Sequence, residues 1–307
     1  MADRRVRTSD GLQLAVREWG DPSRSTVLLV HGFPDTSAVW RLVAEALVDH
    51  GFHVAAHDVR GAGRSDAPAS LEGYAIDRLV DDIATVAGAV SPDRPVHLVG
   101  HDWGSIQGWE AILSAPTAER IASFTSMSGP PLGHVGRWMR SALQNHAYLT
   151  LLRQGIRSSY VGFFHVPGLA RLASAQRDAI GRTRGLWGRA LARVDGARVD
   201  EAWPAPTLGA DVAHGMQLYR ANIGPKLHHP TERRTDVPVQ LIEATNDRFV
   251  PGWLLADLEE VAPQLHRRTV RARHWVIRSQ PVDVAAWIAE HAFTVDGAEA
   301  GSDPADR

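Results

Sequence analysis

The chain of 307 residues is long enough for one large α/β domain or for one domain carrying a sizeable insertion. Its 44% hydrophobic and 22% charged content is that of an ordinary soluble globular protein, and a net charge of −2 offers no footprint for nucleic acid or an anionic membrane. Without cysteine there are no disulfides, thiolate metal sites or cysteine nucleophile, and without an N-terminal apolar core or a membrane-length apolar run a cytoplasmic location is expected.

Val6–Thr8 and Leu12–Glu18 flank the turn signature Ser9-Asp10-Gly11 and predict an opening hairpin. Thr26–Val30 is a continuous apolar run, the pattern of a strand buried on both faces, and it leads directly into His31-Gly32-Phe33-Pro34. Val39, Leu42, Val43, Ala46 and Leu47 then fall at helical spacing, with a stop near Gly51. A strand over His53–His57, a glycine-rich loop from Asp58 to Asp66 and a helix over Ile76–Val90 follow. Val96, Leu98 and Val99 mark the next buried strand; Ile106, Trp109, Ile112 and Leu113 mark a helix; Ile121–Met127 is a strand stopped by Ser128-Gly129-Pro130-Pro131. Strands alternating with helices predict an α/β fold with a parallel sheet and right-handed crossovers.

From about Leu132 to Thr235 the rhythm changes. Helical patterning over Trp138–Leu152, Ala170–Leu191 and Val212–Ala221 is broken by Gly and Pro and includes no strand run, which predicts an inserted helical cap. The segment is rich in Arg and Trp; Lys226 is the chain's one lysine, and the arginine excess reads as codon bias. Val239–Ala244 resumes the sheet, Leu254–Val261 is expected as a helix, His266–Val270 as a last strand and Val282–Phe293 as a closing helix. The expected division is a core over 1–131 and 236–293, a cap over 132–235 and a disordered tail over 294–307.

Between the fifth expected strand and its helix lies Gly100-His101-Asp102-Trp103-Gly104. This G-x-D-x-G has the outline of a nucleophile elbow, with Asp102 in place of the usual serine. Two readings of Asp102 stand side by side: a helix N-cap, and a nucleophile kept ionised by the helix dipole and free N–H groups. Asp247 and His274 each lie just after an expected strand, where parallel sheets carry their sites. The order nucleophile, acid, histidine is that of the α/β-hydrolases.

From about Leu12 to Phe293 the chain resembles an α/β-hydrolase of the epoxide hydrolase group. His31-Gly32-Phe33-Pro34 resembles the group's HGxP motif, the Asp58 to Asp66 loop its D-x-R-G-x-G-x-S motif, and Gly100 to Gly104 its aspartate elbow. Phe124 to Pro130, with Ser105, looks closest to the hydrolase half of bacterial proteins fused to a short-chain dehydrogenase; no GxGxxG of such a second half is present. Tyr160, followed seven residues on by Pro167-Gly168, and Tyr219-Arg220 with Asn222 are similar to the two cap-tyrosine motifs of the group. Packed core aromatics are the alternative reading of these tyrosines. His165 stands where the group commonly has Gln, and Ser105 where Gly is commoner, departures that bear on substrate choice.

The resemblance implies a mostly parallel sheet flanked by helices, with an inserted helical cap. It implies attack by Asp102 on an epoxide, protonation of the opened oxygen by Tyr160 and Tyr219, and hydrolysis of the resulting ester by water activated through His274 and Asp247. The backbone N–H groups of Phe33 and Trp103 would hold the oxyanion, with His31 and Pro34 shaping that loop. No cofactor or metal is implied. The partners implied are a small, hydrophobic epoxide and water, with no nucleic acid or membrane and a homodimer left open.

Haloalkane dehalogenases use the same Asp, His and acid but need a second halide-binding group, where this chain has Phe33; Trp138, Trp187 and Trp203 are the substitutes on offer. A fluoroacetate-type dehalogenase usually has Arg after the nucleophile, and a serine esterase needs a serine in the elbow; neither residue is present. A non-catalytic ligand-binding α/β-hydrolase and a purely structural protein are the readings from other classes.

Overall fold

A computed structural model describes residues 2–228 and 233–300. β1 (Ala2–Arg7) and β2 (Gln13–Trp19) form the expected hairpin, followed by β3 (Thr26–Val30), α1 (Arg41–Asp49) and β4 (His53–His57). Next come α2 (Ile76–Val90), β5 (Val96–His101), α3 (Trp103–Ile112), a short α4 (Ala115–Ala118) and β6 (Ile121–Met127). Before the sheet resumes, the described residues form α5 (Leu132–Gln144), α6 (Tyr148–Arg157), α7 (Ser159–Phe164), α8 (Leu169–Ala175), α9 (Arg177–Arg182), α10 (Arg184–Asp195) and α11 (Leu208–His228). β7 (Val239–Ala244), β8 (Leu265–Val270), α12 (Val276–Ser279) and α13 (Pro281–Ala300) follow.

Among the described residues the strands form one sheet of eight, in the order β1-β2-β4-β3-β5-β6-β7-β8. β2 runs antiparallel to β4, and from β4 through β8 every pairing is parallel. The apolar run of β3 shows why the sheet is covered twice. Val27 and Leu29 pack with α1 and α13 residues such as Leu47 and Ile288, whereas Leu28 and Val30 pack with α2 and α3 residues such as Ile83 and Trp109. Alternation along a strand divides one continuous apolar run between two cores.

Several expected elements are redrawn. The expected helix over Leu254–Val261 is two single 3₁₀ turns, Gly252–Leu254 and Leu258–Glu260, because Asp257 takes a left-handed conformation (φ 57°) between them. The long helices expected over Trp138–Leu152 and Ala170–Leu191 are both broken. His146 (φ 54°) separates α5 from α6, and the second span becomes α8, α9 and α10. At Thr183 the hydroxyl bonds to the Ile180 carbonyl, a side-chain alternative to the helical ladder. The tail expected to be disordered from Thr294 instead continues α13 to Ala300. Val295 is buried and Asp296 accepts from Ser25 Oγ at 3.1 Å and lies 3.1 Å from His97 Nε2, anchors that composition does not reveal. Residues 229–232 of the expected cap and 301–307 of the expected tail lie outside the described residues.

The glycine-rich loop after β4 is a clamp. Asp58 accepts from the N–H groups of Ser37 (2.8 Å) and Arg64 (2.9 Å), while the neighbouring Val59 N–H donates to His31 Nε2 at 2.9 Å. Arg60, 2% exposed, makes a two-pronged contact with Asp82, 2.7 Å at each oxygen, and also reaches Asp10 (2.9 Å) and the Gly73 carbonyl (2.7 Å). Removing one partner of a buried pair strands the other charge. Arg60→Met is therefore expected to lower unfolding free energy by ~3–5 kcal/mol, measured by urea titration, with Arg60→Lys intermediate. A loss below ~1 kcal/mol for Arg60→Met would place it among ordinary exposed pairs.

Candidate active site

Asp102 sits at the tip of the β5–α3 turn with φ 54° and ψ −120°, a conformation rarely taken by a non-glycine residue. The turn is tight enough that a Cβ on Gly100 would strike the backbone of Gly104, and one on Gly104 would strike the Val30 carbonyl. This is the strained elbow geometry expected of the pentapeptide, and Asp102 makes no side-chain cap bond to its own helix. Instead its Oδ1 accepts from the Phe33 backbone N–H at 2.7 Å, bringing the His31–Pro34 loop onto the carboxylate.

His274 and Asp247 reach the same point from the loops after β8 and β7. His274 Nδ1 donates to Asp247 Oδ2 at 2.9 Å, and its Nε2 lies 3.6 Å from Asp102 Oδ2, an ion-pair contact longer than a hydrogen bond. Asp247 is aimed by the Phe249 and Val250 N–H groups, which donate to its Oδ1 at 2.8 and 3.1 Å. Burial disfavours charge on His274, but Asp247 and Asp102 outweigh it and push the imidazole up to about 10. Burial likewise opposes the Asp247 carboxylate, and His274 reverses that, leaving its pKa below the ordinary value.

A parallel-sheet elbow followed in order by acid and histidine loops has a matching family. The alpha/beta hydrolase fold model matches residues 25–279. The chain belongs to the alpha/beta hydrolase fold family. The protein called probable oxidoreductase EphD of Mycobacterium tuberculosis is 33% identical over 310 residues, covering 96% of this chain and 50% of its own length. The chain thus spans about half the length of that relative. Epoxide hydrolase A of the same organism is 36% identical over 166 residues, 54% of this chain and 48% of its own. A Bacillus megaterium epoxide hydrolase, solved in complex with an inhibitor, superposes with a TM-score of 0.77 at 24% identity, covering 94% of this chain and 100% of that one.

The helices of this alpha/beta hydrolase that separate β6 from β7 bring both candidate tyrosines to the same place. Tyr160 of α7 and Tyr219 of α11 meet edge to face, ring centroids 5.8 Å apart, and Tyr219 also packs on Trp103 (5.0 Å) and Phe33 (5.4 Å). Burial first, and the Asp102 charge second, hold both phenols above the ordinary range, so they remain protonated donors. Two cavities of about 340 and 330 Å³ share Asp102, Tyr160, Tyr219 and Phe249 as lining. His274 and Pro34 line the first; Trp103 lines the second.

His31 is placed as a loop support, its Nδ1–H donating to the Gly32 carbonyl at 2.9 Å while Nε2 accepts from Val59. The Phe33–Pro34 peptide is cis. Trp103 opens α3, so its N–H is among those a helix leaves without an internal acceptor. His165 is exposed and bonds to the Val161 carbonyl, whereas Ser105 is buried between Ser126 Oγ (2.8 Å) and the Gly129 carbonyl (2.7 Å).

Sequence reasoning missed two supports. His101 donates from Nε2 to the His274 carbonyl at 2.8 Å, fixing the loop that carries the imidazole. Asp35, 5% exposed, accepts from the indoles of Trp203 (2.6 Å) and Trp275 (2.9 Å), and burial raises its carboxyl to about 6. His101 lies inside the elbow motif and Asp35 directly follows Pro34, so adjacency to a motif was the signal available.

The charge on His274 depends on both carboxylates. Its folded pKa lies above the ordinary 6.5, so it adds stability that is complete below pH 6.5 and lost as pH rises through about 10. In an NMR titration its imidazole should titrate near 10, and Asp102→Asn should move that midpoint down. An unchanged midpoint in the Asn variant would show that Asp102 does not act on the ring.

Proposed function

We propose that this protein is an epoxide hydrolase that converts an epoxide to a vicinal diol through an ester on Asp102, with residues 132–235 acting as a helical cap. The observation that carries this reading is the pairing of opposite roles across one cavity. A carboxylate stands at the elbow tip, and two tyrosines held in the protonated form line the same cavity. Opening an epoxide needs both, a nucleophile for carbon and a proton donor for the departing oxygen.

Asp102 Oδ2 attacks a ring carbon while that carbon's bond to the epoxide oxygen breaks. Tyr160 and Tyr219 stabilise the oxygen, and one of them gives it a proton, a contribution typically worth about 10²–10⁴ in rate. The imidazolium of His274 returns the proton to the tyrosinate and becomes neutral. Esterification removes the Asp102 charge, one of the two that raise the His274 pKa, which favours the neutral base at the moment it is needed. His274 then takes a proton from water, whose oxygen attacks the ester carbonyl carbon. Negative charge develops on Oδ1, the atom already bonded to the Phe33 N–H, with the Trp103 N–H as second donor. One such donor is typically worth ~3–4 kcal/mol. Collapse breaks the ester bond, and the leaving diol oxygen takes the carboxyl proton of Asp102.

The resemblance to epoxide hydrolases in sequence supports this reading. The dehalogenase alternative loses one of its substitute halide donors, since the Trp203 indole already donates to Asp35. Trp187 and Trp138 line the two cavities and keep halide release worth measuring.

A panel of epoxides, haloalkanes and simple esters, followed for diol, halide and acid, tests the assignment. Diol should form from epoxides. Tyr160→Phe and Tyr219→Phe should each lower kcat for ring opening, by ~10–10², and the double variant should nearly abolish it; the pair acts as a unit, so the losses will not add. Wild-type diol formation by the double variant, or halide release without diol, would end the epoxide reading.

A further inference from the structure

Between Leu132 and Arg177 the chain has six arginines and no Lys, Asp or Glu, within a protein whose net charge is −2. Helix α6 sorts its residues by direction. Leu149, Leu152 and Ile156 recur at i, i+3 and i+7 and share one face, and with Tyr148 they are 59–67% exposed. Leu151, Gln154, Gly155 and Ser158 turn the other way and line the 330 Å³ cavity beside Asp102. Arg153 is exposed beside the outer stripe, whereas the Arg157 guanidinium donates to the Arg248 carbonyl at 3.0 Å and stacks on Trp253. α5, packed against α6, adds Leu143 (52% exposed).

A single exposed leucine is unremarkable in energetic terms, but an apolar stripe along a whole helix marks a contact surface. The charge around it selects the occupant. A second copy using this face would set one arginine-rich surface against another, and like charges across an interface are unfavourable. Anionic lipid satisfies both features at once, because acyl chains take the apolar stripe and headgroup phosphates take the guanidiniums. Tyr148 at the edge of the stripe suits the headgroup level, where tyrosine is enriched. The whole-chain charge pointed away from a membrane because it averages this stretch with the acidic remainder. Among the described residues no helix is long and apolar enough to cross a membrane.

We propose that the outer face of α5 and α6 docks on an anionic lipid surface, laying Leu149, Leu152 and Ile156 among the acyl chains. The inner face of α6 then lines the cavity into which a lipophilic epoxide would pass, a point that rests on the hydrolase reading; the docking itself does not.

Co-sedimentation of the full chain with phospholipid vesicles tests the proposal. Vesicles of equimolar phosphatidylglycerol and phosphatidylcholine should bind the protein, phosphatidylcholine alone should bind it weakly, and added salt should release it. Leu149→Gln/Leu152→Gln/Ile156→Gln should lower partitioning by about tenfold or more, with the thermal midpoint and turnover of a water-soluble epoxide unchanged. Arg153→Glu, a change at one exposed side chain, should lower partitioning about tenfold on its own and carries the test if the triple variant unfolds. Absence of binding to phosphatidylglycerol vesicles, or binding indifferent to salt and to both variants, would overturn the proposal. So would a wild-type dimer in sedimentation velocity that the triple variant dissociates. Binding is read without substrate, so vesicle binding without diol formation would sink the hydrolase reading and leave the docking face standing.

Discussion

His274 lies buried between two carboxylates, Asp247 at 2.9 Å and Asp102 at 3.6 Å. One positive charge between two negative ones is the constraint on which the candidate site depends. Burial alone would drive the imidazole neutral and Asp247 toward protonation. The two carboxylates outweigh burial at His274, and His274 does the same for Asp247, each offsetting the cost of burying the other. The arrangement is also poised to change. Neutralising either carboxylate removes part of what holds the proton on His274, so a covalent bond at Asp102 would turn the imidazole from acid to base.

The scaffold delivers these three groups from separate loops at one edge of the sheet, after β5, β7 and β8. Each is fixed by a hydrogen bond in which one partner is a backbone group. The Phe33 N–H holds Asp102, the Phe249 and Val250 N–H groups hold Asp247, and His101 holds the His274 carbonyl. The helices between β6 and β7 contribute Tyr160 and Tyr219, and they are tied to the sheet by polar contacts as well as by packing. Asp35 joins Trp203 of that segment to Trp275 beside His274, and Asp211 of α11 accepts from the Gly63 N–H in the glycine-rich loop at 2.8 Å. Both carboxyls are pushed up by burial, Asp35 to about 6 and Asp211 to about 7, so the segment is attached through groups that are costly to keep charged.

Much of this was legible in the chain. The parallel strands are short, apolar and bounded by turn residues, so β3 through β7 fall close to where periodicity places them. The elbow was legible because its backbone demands glycine on both sides, and the collisions at Gly100 and Gly104 show why. Asp247 and His274 were found from their position after strands and through resemblance. The separate helices after β6 were not legible, because a residue such as His146, left-handed at φ 54°, breaks a helix without any Gly or Pro to announce it. The end of α13 was missed because Asp296 is anchored by Ser25 and His97, far away in sequence. Net charge concealed the arginine-rich, carboxylate-free stretch from Leu132 to Arg177, since a sum over the chain discards position.

In the proposed reaction Asp102 bonds covalently to the substrate before water is used; His274 is dispensable for forming that bond and required for release. Intact mass spectrometry of His274→Gln mixed with an epoxide tests this most directly. The account predicts a gain equal to the full mass of the epoxide, since ring opening expels nothing, mapped to the peptide containing Asp102 and absent from a second variant carrying Asp102→Ala as well. An unmodified His274→Gln protein, with ¹⁸O from solvent water entering the diol of a first wild-type turnover, would contradict it.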